Sequence, residues 1–466
     1  DPNGTKLSDT TTLGDPSWSA AYGTVTQLEV QNYDSADNLL TSVVTTNTYY
    51  DTAASLSTWR LGRLARSTVT HSRTGLPDIT RTSSFTYTEN HTGMLESETV
   101  EPDAGAALKV TTTRSRDAYG NVTGVVTSTT DPITGAAVTR TATTQYDTKG
   151  RFPVWTKNAL GQQEDYTYDQ NLGLKLTLKG PNGLTTSWAY DSFGRITTET
   201  QPDGTYATTT HAWDGSSGYK YLIHTETRAA NGTVIAPPAR TYFDAFGRAR
   251  LAAGLNGDGK LLCVATEYDN QGRAYCTSQP YFSGGTQYWA TTEYDTYGRP
   301  SKVWTPIDDP AGTGAVLQSL TTYTYDGLHT YTVVTAPVDV SGNATGSFSK
   351  TRRKDTWVNM LGQTVTVVDN AHLGASSSEY AEVGYTHDAI GNVVTTTVHK
   401  QDGTTFTTVF EYDLRGRKIG MSDPNMGSWD YEYDALGQLR RQTDAKGQQV
   451  TMTYDGLGRM ATRTRP

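Results

Sequence analysis

The sequence predicts an all-β protein, a long antiparallel meander of hairpins, and three observations carry that prediction. Thr (about 80), Tyr (29) and Val crowd a chain of 466 residues, and β-branched and aromatic side chains fit strands. An aromatic-Asp-x-x-Gly-Arg motif recurs about every 21 to 26 residues where copies stand closest. A second turn signal falls near the middle of each unit, so that a unit reads turn, strand, turn, strand. No window holds a sustained 3.6-residue apolar period, which predicts no helix longer than about two turns.

The strong copies of the motif are Tyr146-Asp147 with Gly150-Arg151, Tyr190-Asp191 with Gly194-Arg195, and Phe243-Asp244 with Gly247-Arg248. They continue at Tyr268-Asp269 with Gly272-Arg273, Tyr294-Asp295 with Gly298-Arg299, Tyr412-Asp413 with Gly416-Arg417, and Tyr454-Asp455 with Gly458-Arg459. Weaker copies keep part of the pattern, among them Asp117 with Gly120-Asn121, Tyr168-Asp169 with Gly173, Asn359 with Gly362-Gln363, His387-Asp388 with Gly391-Asn392, and Tyr433-Asp434 with Gly437-Gln438. Mid-unit turns include Asn158 to Gly161, Pro181-Asn182-Gly183, Pro202-Asp203-Gly204 and Asp444 to Gly447.

Each motif residue has a physical task. Asp at the turn's start accepts hydrogen bonds from backbone N–H groups two residues on. Gly supplies the positive φ of a type I turn with a G1 bulge. Tyr sits at the strand end; in Tyr166/Tyr168, Tyr323/Tyr325 and Tyr431/Tyr433 both rings share one strand face, and repeat on repeat they would form aromatic ladders. Arg after Gly can return to the Asp or stack on a neighbouring Tyr. These are scaffold roles, and a residue type repeated a dozen times is a poor candidate for catalysis.

Only 35% of residues are apolar, against a usual 45–50% on a count that includes Gly. A β-sandwich needs large aliphatic residues on two inner faces, and here Thr alternates with Thr, Val or Tyr. A propeller would want a period near 40–50 residues, which pairs of units could mimic, so it stays an alternative. At ~3.3 Å per residue and ~4.8 Å between strands the chain makes on the order of 7,000 Å² of sheet. Such a sheet must curl or close to hide its edges. With so few bulky apolar residues it would surround a large hollow.

The motif with its intervening Pro-Asp-Gly turns resembles the YD repeats of the rearrangement-hotspot (Rhs) family, which includes bacterial Rhs polymorphic toxins, the B and C components of insecticidal Tc toxins, and the teneurin shell. The match is specific over 116–466, the YD/Rhs repeat β-shell. Residues 1–115 form a less regular β segment leading into it, where Leu61-Gly62-Arg63-Leu64-Ala65-Arg66 and Gly93-Met94-Leu95-Glu96 are similar in style. The resemblance implies a fold in which hairpins spiral into a hollow β-cocoon. It also implies a function: the wall of a shell that encloses a C-terminal toxic polypeptide, delivered outside a bacterial cell. The implied partners are that C-terminal core and toxin region of the parent chain, the rest of the shell, or a delivery component. The family's terminal core with its Asp-Pro-x-Gly motif and self-cleavage site has no counterpart; Asp423-Pro424-Asn425-Met426-Gly427 falls in an ordinary mid-unit turn. The sequence therefore reads as shell wall without cap, protease or cargo.

Other chemistry finds little support. The net charge of −9 and absence of a basic block argue against nucleic acid, and no run approaches the ~20 apolar residues of a membrane span. His71, His91, His211, His224, His329, His372, His387 and His399 form no metal-ligand pair at helical spacing. Asn256-Gly257-Asp258-Gly259-Lys260 echoes a calcium loop but lacks its carboxylates, and reads as a hairpin turn. Asp308-Asp309, in a Pro/Gly loop, reads as solvated charge rather than a glycosidase pair. Cys263 and Cys276 could pair only if strands brought their Cα atoms within ~4.4–6.8 Å; otherwise they are small buried thiols. No cofactor and no catalytic or metal residue is expected. The alternative to a shell is an extracellular module binding carbohydrate or a cell surface through Tyr and Thr faces. Unpaired sheet edges would also invite self-association.

Overall fold

The structure is a computed structural model and describes residues 12–13, 17–18, 23–33, 38–50, 59–88, 93–214, 218–307, 317–338, 350–370, 380–400 and 402–465. Asp51, His91, Asp308, Asp309 and His372 lie outside the described residues. The described residues contain strands and turns and no helix. Sequential strands pair antiparallel as hairpins in one long meander, with Thr185–Tyr190 on Ile196–Thr200 and that strand on Tyr206–Trp213 as examples.

The unit length follows from turn chemistry. Gly194 N donates to Asp191 O at 3.0 Å and Asp191 N to Arg195 O at 2.9 Å. Ala189 faces Thr198, but Tyr190 faces Ile196, so the register slips by one residue at the Tyr. This is the bulge that the positive φ of Gly194, 79°, permits. The same slip recurs at Tyr268, Tyr294, Tyr412 and Tyr454.

Among the described residues the buried apolar side chains are few and scattered, Ala253, Cys263, Val338, Val368, Ala435 and Met452. The strands are joined instead by cross-strand threonine pairs. Hydroxyls meet at 2.6 Å in Thr167/Thr177, Thr386/Thr395 and Thr453/Thr462 and at 3.0 Å in Thr99/Thr111 and Thr397/Thr407. Such pairs contribute roughly 0.2–1 kcal/mol each, which is how a Thr-rich sheet holds together with little oil.

The chain divides into two compact units. The first comprises Asp1–Gln163, Asp326–His329 and Asp355–Pro466; the second comprises Glu164–Tyr325 and Thr330–Lys354. The cysteines are unpaired, Cys263 facing Ala253 and Tyr281 while Cys276 faces Glu267 and Thr291. Burial raises the Cys263 thiol pKa, which keeps it protonated and inert.

Candidate functional site

The feature built most consistently is the repeated turn and the edge it forms. Asp191 Oδ1 accepts from the N–H of Phe193 at 2.9 Å and of Arg195 at 3.0 Å, while its Oδ2 receives Arg195 Nε at 2.7 Å. Asp244, Asp269, Asp295, Asp413 and Asp455 repeat the set with Arg248, Arg273, Arg299, Arg417 and Arg459, Nε to carboxylate lying between 2.6 and 2.8 Å. Asp147 differs. Its loop is one residue longer, its N–H reaches Phe152 O, and the Arg151 guanidinium stands off at 3.5 Å while the Arg151 backbone N–H donates to Oδ1 at 2.6 Å. Weaker copies work by substitution. The Asn392 amide serves Asp388 at 2.7 Å in place of Arg, and Asn359 accepts the N–H groups of Leu361 and Gln363 at 3.0 Å in place of Asp. Backbone N–H donation, from Arg151 to Asp147, Leu172 to Asp169 and Arg195 to Asp191, holds these carboxyls below the usual Asp range.

Repeat is tied to repeat by the motif Tyr. The hydroxyls of Tyr190, Tyr268, Tyr294, Tyr325, Tyr412 and Tyr454 donate to the carbonyls of Lys175, Ala249, Ala274, Pro300, Val393 and Leu439, at 2.6 to 3.0 Å. In every case the acceptor stands two residues after the turn Gly of the preceding repeat. Motif arginines then cover the rings. Arg248 lies 4.6 Å from the Tyr268 ring centroid, Arg273 4.2 Å from Tyr294, Arg299 4.1 Å from Tyr325 and Arg417 5.1 Å from Tyr433. Arg thus does both tasks at once, returning to its Asp and stacking on the next Tyr. The expected ladder of ring on ring is, at these copies, a ladder of guanidinium on ring. The sequence reading missed the hydroxyl clasp, because acceptor and Tyr stand anywhere from 15 to 25 residues apart and no fixed spacing signals it. Tyr412→Phe is expected to cost about 0.5–1.5 kcal/mol, read as a lower urea midpoint; an unchanged midpoint would show the clasp to be idle.

Meander topology puts all motif turns along one edge and all mid-unit turns along the other. Within the first unit these two edges meet. Arg73, beside the mid-unit turn at 74–78, donates to Gln363 Oε1 at 3.0 Å and to Asp388 O at 3.4 Å, 315 residues along the chain. Arg417 Nη2 reaches Ala107 O at 3.0 Å, 310 residues away. Arg440 Nη1 lies 2.6 Å from Asp131 Oδ2. Further on, Gly456 lies against Leu160 and the Ala159 carbonyl, so closely that a Cβ there would come within 3.1 Å of Leu160. Four successive mid-unit turns therefore seat four successive motif turns in order. Ala435 is fully buried at this seam, and Glu101, Asp131, His387, Asp388 and Asp434 are buried too.

The histidines of the seam contribute a pH dependence of definite sign. Burial and then Arg73 depress the His387 pKa, burial and then Arg81 depress that of His71, and Asp388 opposes both shifts. Both imidazoles are therefore neutral in the closed seam at pH 7. As pH falls below the ordinary imidazole value of about 6.5 toward the lowered values, separated edges bind protons that the seam excludes, so the seam loses stability. Burial raises the Glu101 pKa, a contribution of opposite sign, so the difference is the test: from pH 7.5 down to 5 the parent should lose more stability than the His71→Gln/His387→Gln variant. Equal slopes would remove these histidines from the account.

Among the described residues no group of three or more His, Cys, Asp or Glu side chains is arranged to hold a metal, and no helix is long and apolar enough to cross a membrane. Asn256 Oδ1 accepts from Asp258 N at 3.1 Å and Lys260 N at 2.9 Å, the hairpin turn expected there. Asp423 of the Asp-Pro sequence likewise caps its own turn through the N–H groups of Asn425 and Met426.

A family model described as the RHS repeat matches residues 171–206 and 433–466. No curated protein matches the chain. Among solved structures, that of TcdB2-TccC3-Cdc42 is similar with a TM-score of 0.57 at 12% identity, over 95% of this chain and 33% of that one. That of TcdB2-TccC3 is similar with a TM-score of 0.57 at 14% identity, over 94% of this chain and 30% of that one. At these identities the likeness is one of fold, and the chain spans about a third of the length of those it resembles. Two stretches of the chain thus match the RHS repeat, and its fold is shared along nearly its whole length with the TcdB2-TccC3 structures.

Proposed function

We propose that the chain is shell wall of an Rhs-type, Tc-toxin-like assembly, whose task is to enclose a toxic polypeptide until delivery. The observation that carries this reading is the seam. Hairpins some 310 residues apart lie edge on edge in one unit, as courses of a wall must if the wall is to be taller than one strand is long. The motif residues support it, being spent on turns, clasps and stacking rather than held ready for a reaction. The regular repeats from 116 onward form the wall proper in this reading, and 1–115 leads into it. Cargo and neighbouring wall come from the rest of the parent assembly, and the whole is exported.

Solution X-ray scattering tests the proposal. A hollow wall has a radius of gyration well above the ~23 Å of a compact chain of this length, with an interior void in the profile. A compact value would overturn it and favour a surface-binding module. That second reading draws on Phe193, His211, Trp213 and Tyr221, which line a cavity of about 500 Å³ in the second unit with aromatic faces of the kind that stack on sugars.

A further inference from the structure

The seam of the first unit shows what an edge of motif turns rests on, and the second unit carries the same kind of edge uncovered. The residue just before the turn Gly forms the tip of each turn. At the seam this position is aliphatic or Arg: Ile390, Arg415, Leu436 and Leu457. In the second unit it is Leu172, Phe193, Phe246, Gln271 and Tyr297, the three aromatics exposed to 83%, 83% and 76%. Single exposed apolar residues are ordinary, but three large exposed aromatics at one recurring structural position are not. The aromatics stand at alternate motif turns, four strands and so ~20 Å apart along the edge.

These tips are not loose. Arg195 lies 5.2 Å from the Phe193 ring, Arg248 5.1 Å from Phe246 and Arg299 5.2 Å from Tyr297, and each Arg is fixed by its motif Asp. The edge is therefore a row of ordered aromatic tips backed by cations. The seam gives its complement. There Arg417 holds Asp413 with Nε while Nη2 reaches a mid-unit-turn carbonyl, and Arg440 meets the carboxylate of Asp131 in another mid-unit turn. Mid-unit turns of the second unit present matching groups, Asp203 in Pro202-Asp203-Gly204 and Asp258 in the turn at 256–259.

We propose that the motif-turn edge of the second unit is a docking edge for another YD-repeat wall, which seats its mid-unit turns between the tips of Phe193, Phe246 and Tyr297. The inference rests on the reading of the chain as shell wall and names the partner of that wall: a further course of the same repeat. It follows from continuity with the seam, where the same two edges already meet with aligned turns and Arg facing Asp or carbonyl. A second copy of this chain carries both edges and is therefore a sufficient probe. Contact between unlike edges is head-to-tail, so association does not close at a dimer.

The experiment is sedimentation velocity of the full chain over a wide concentration range, with cross-linking between isotopically distinct copies. The expected result is a mass that climbs with concentration, with cross-links from Lys260 beside a mid-unit turn to Lys220 or Lys302 on another copy. Phe193→Ser/Phe246→Ser/Tyr297→Ser should weaken association at least about a hundredfold, since burying one such ring contributes roughly tenfold or more. Its circular dichroism and melting should stay as in the parent, because the tips are exposed. Val234→Ser/Ile235→Ser, which removes exposed apolar residues elsewhere in the unit, should leave association unchanged. A chain that stays monomeric, an association indifferent to the triple variant, or one lost equally in the control would overturn the proposal. So would glycan binding that the triple variant abolishes while self-association is absent. A monomer with a hollow scattering profile would sink this inference alone and leave the shell reading standing.

Discussion

Arg440→Met is expected to destabilise the first unit by about 3 kcal/mol, the low end for breaking one side of a buried ion pair. Arg440 and Asp131 are 2.6 Å apart with side chains 16% and 6% exposed. Removing the guanidinium leaves the carboxylate in a place water hardly reaches. The loss is held to the low end because Asp131 Oδ1 keeps the N–H groups of Ile133 and Thr134, at 2.9 and 3.0 Å. Asp434, 3.9 Å from the same Arg440 nitrogen, loses a weaker partner. The urea midpoint should fall at unchanged slope. In a double-mutant cycle with Asp131→Asn the coupling should exceed ~1 kcal/mol, the range of a surface pair. A smaller coupling would mean that the seam is held by shape alone, and Arg73 and Arg417 would then be the next contacts to test.

The sheet was legible in the sequence because turn chemistry is local. Asp and Gly three residues apart specify a turn wherever they fall, so Asp191 to Gly194 and Asn256 to Gly259 close as expected without help from tertiary packing. The weaker copies at Asn359 and Asp388 were legible for the same reason, since an amide can stand in for either partner. What lay beyond the sequence were contacts set by how the wall returns on itself. Nothing about Arg73 points to Asp388, and nothing about Arg440 points to Asp131. Their partners are fixed by the summed twist and length of the hairpins between them, which no short window encodes. The stacking partner of the motif Tyr falls between these cases. The expected neighbour was another Tyr, but the pleat brings the Arg of the preceding repeat over the ring first, as at Arg273 and Tyr294.

Gly150→Ala should be more damaging than the same change at Gly194, and the difference isolates a contact between repeats. Both glycines have positive φ, 66° and 79°, so a Cβ at either costs about 1–2 kcal/mol in backbone strain. At Gly194 the added carbon meets Leu174 at 3.5 Å, an ordinary contact. At Gly150 it would fall 2.4 and 2.6 Å from Cδ2 and Cγ of Tyr119 and 3.0 Å from its Cβ. The ring root is involved, not a flexible end, so Tyr119 must swing off the turn. It would then forfeit the bond from its hydroxyl to Thr148 O at 3.2 Å together with ring contact over the turn, roughly another 1 kcal/mol. Gly150→Ala is thus expected to cost about 2–3 kcal/mol and Gly194→Ala about 1–2. The added loss at position 150 should largely vanish when Tyr119→Ala is already present, because the clash partner is then gone. Equal costs for the two glycines, or an added loss that persists without the Tyr119 ring, would show that φ alone makes glycine necessary in these turns.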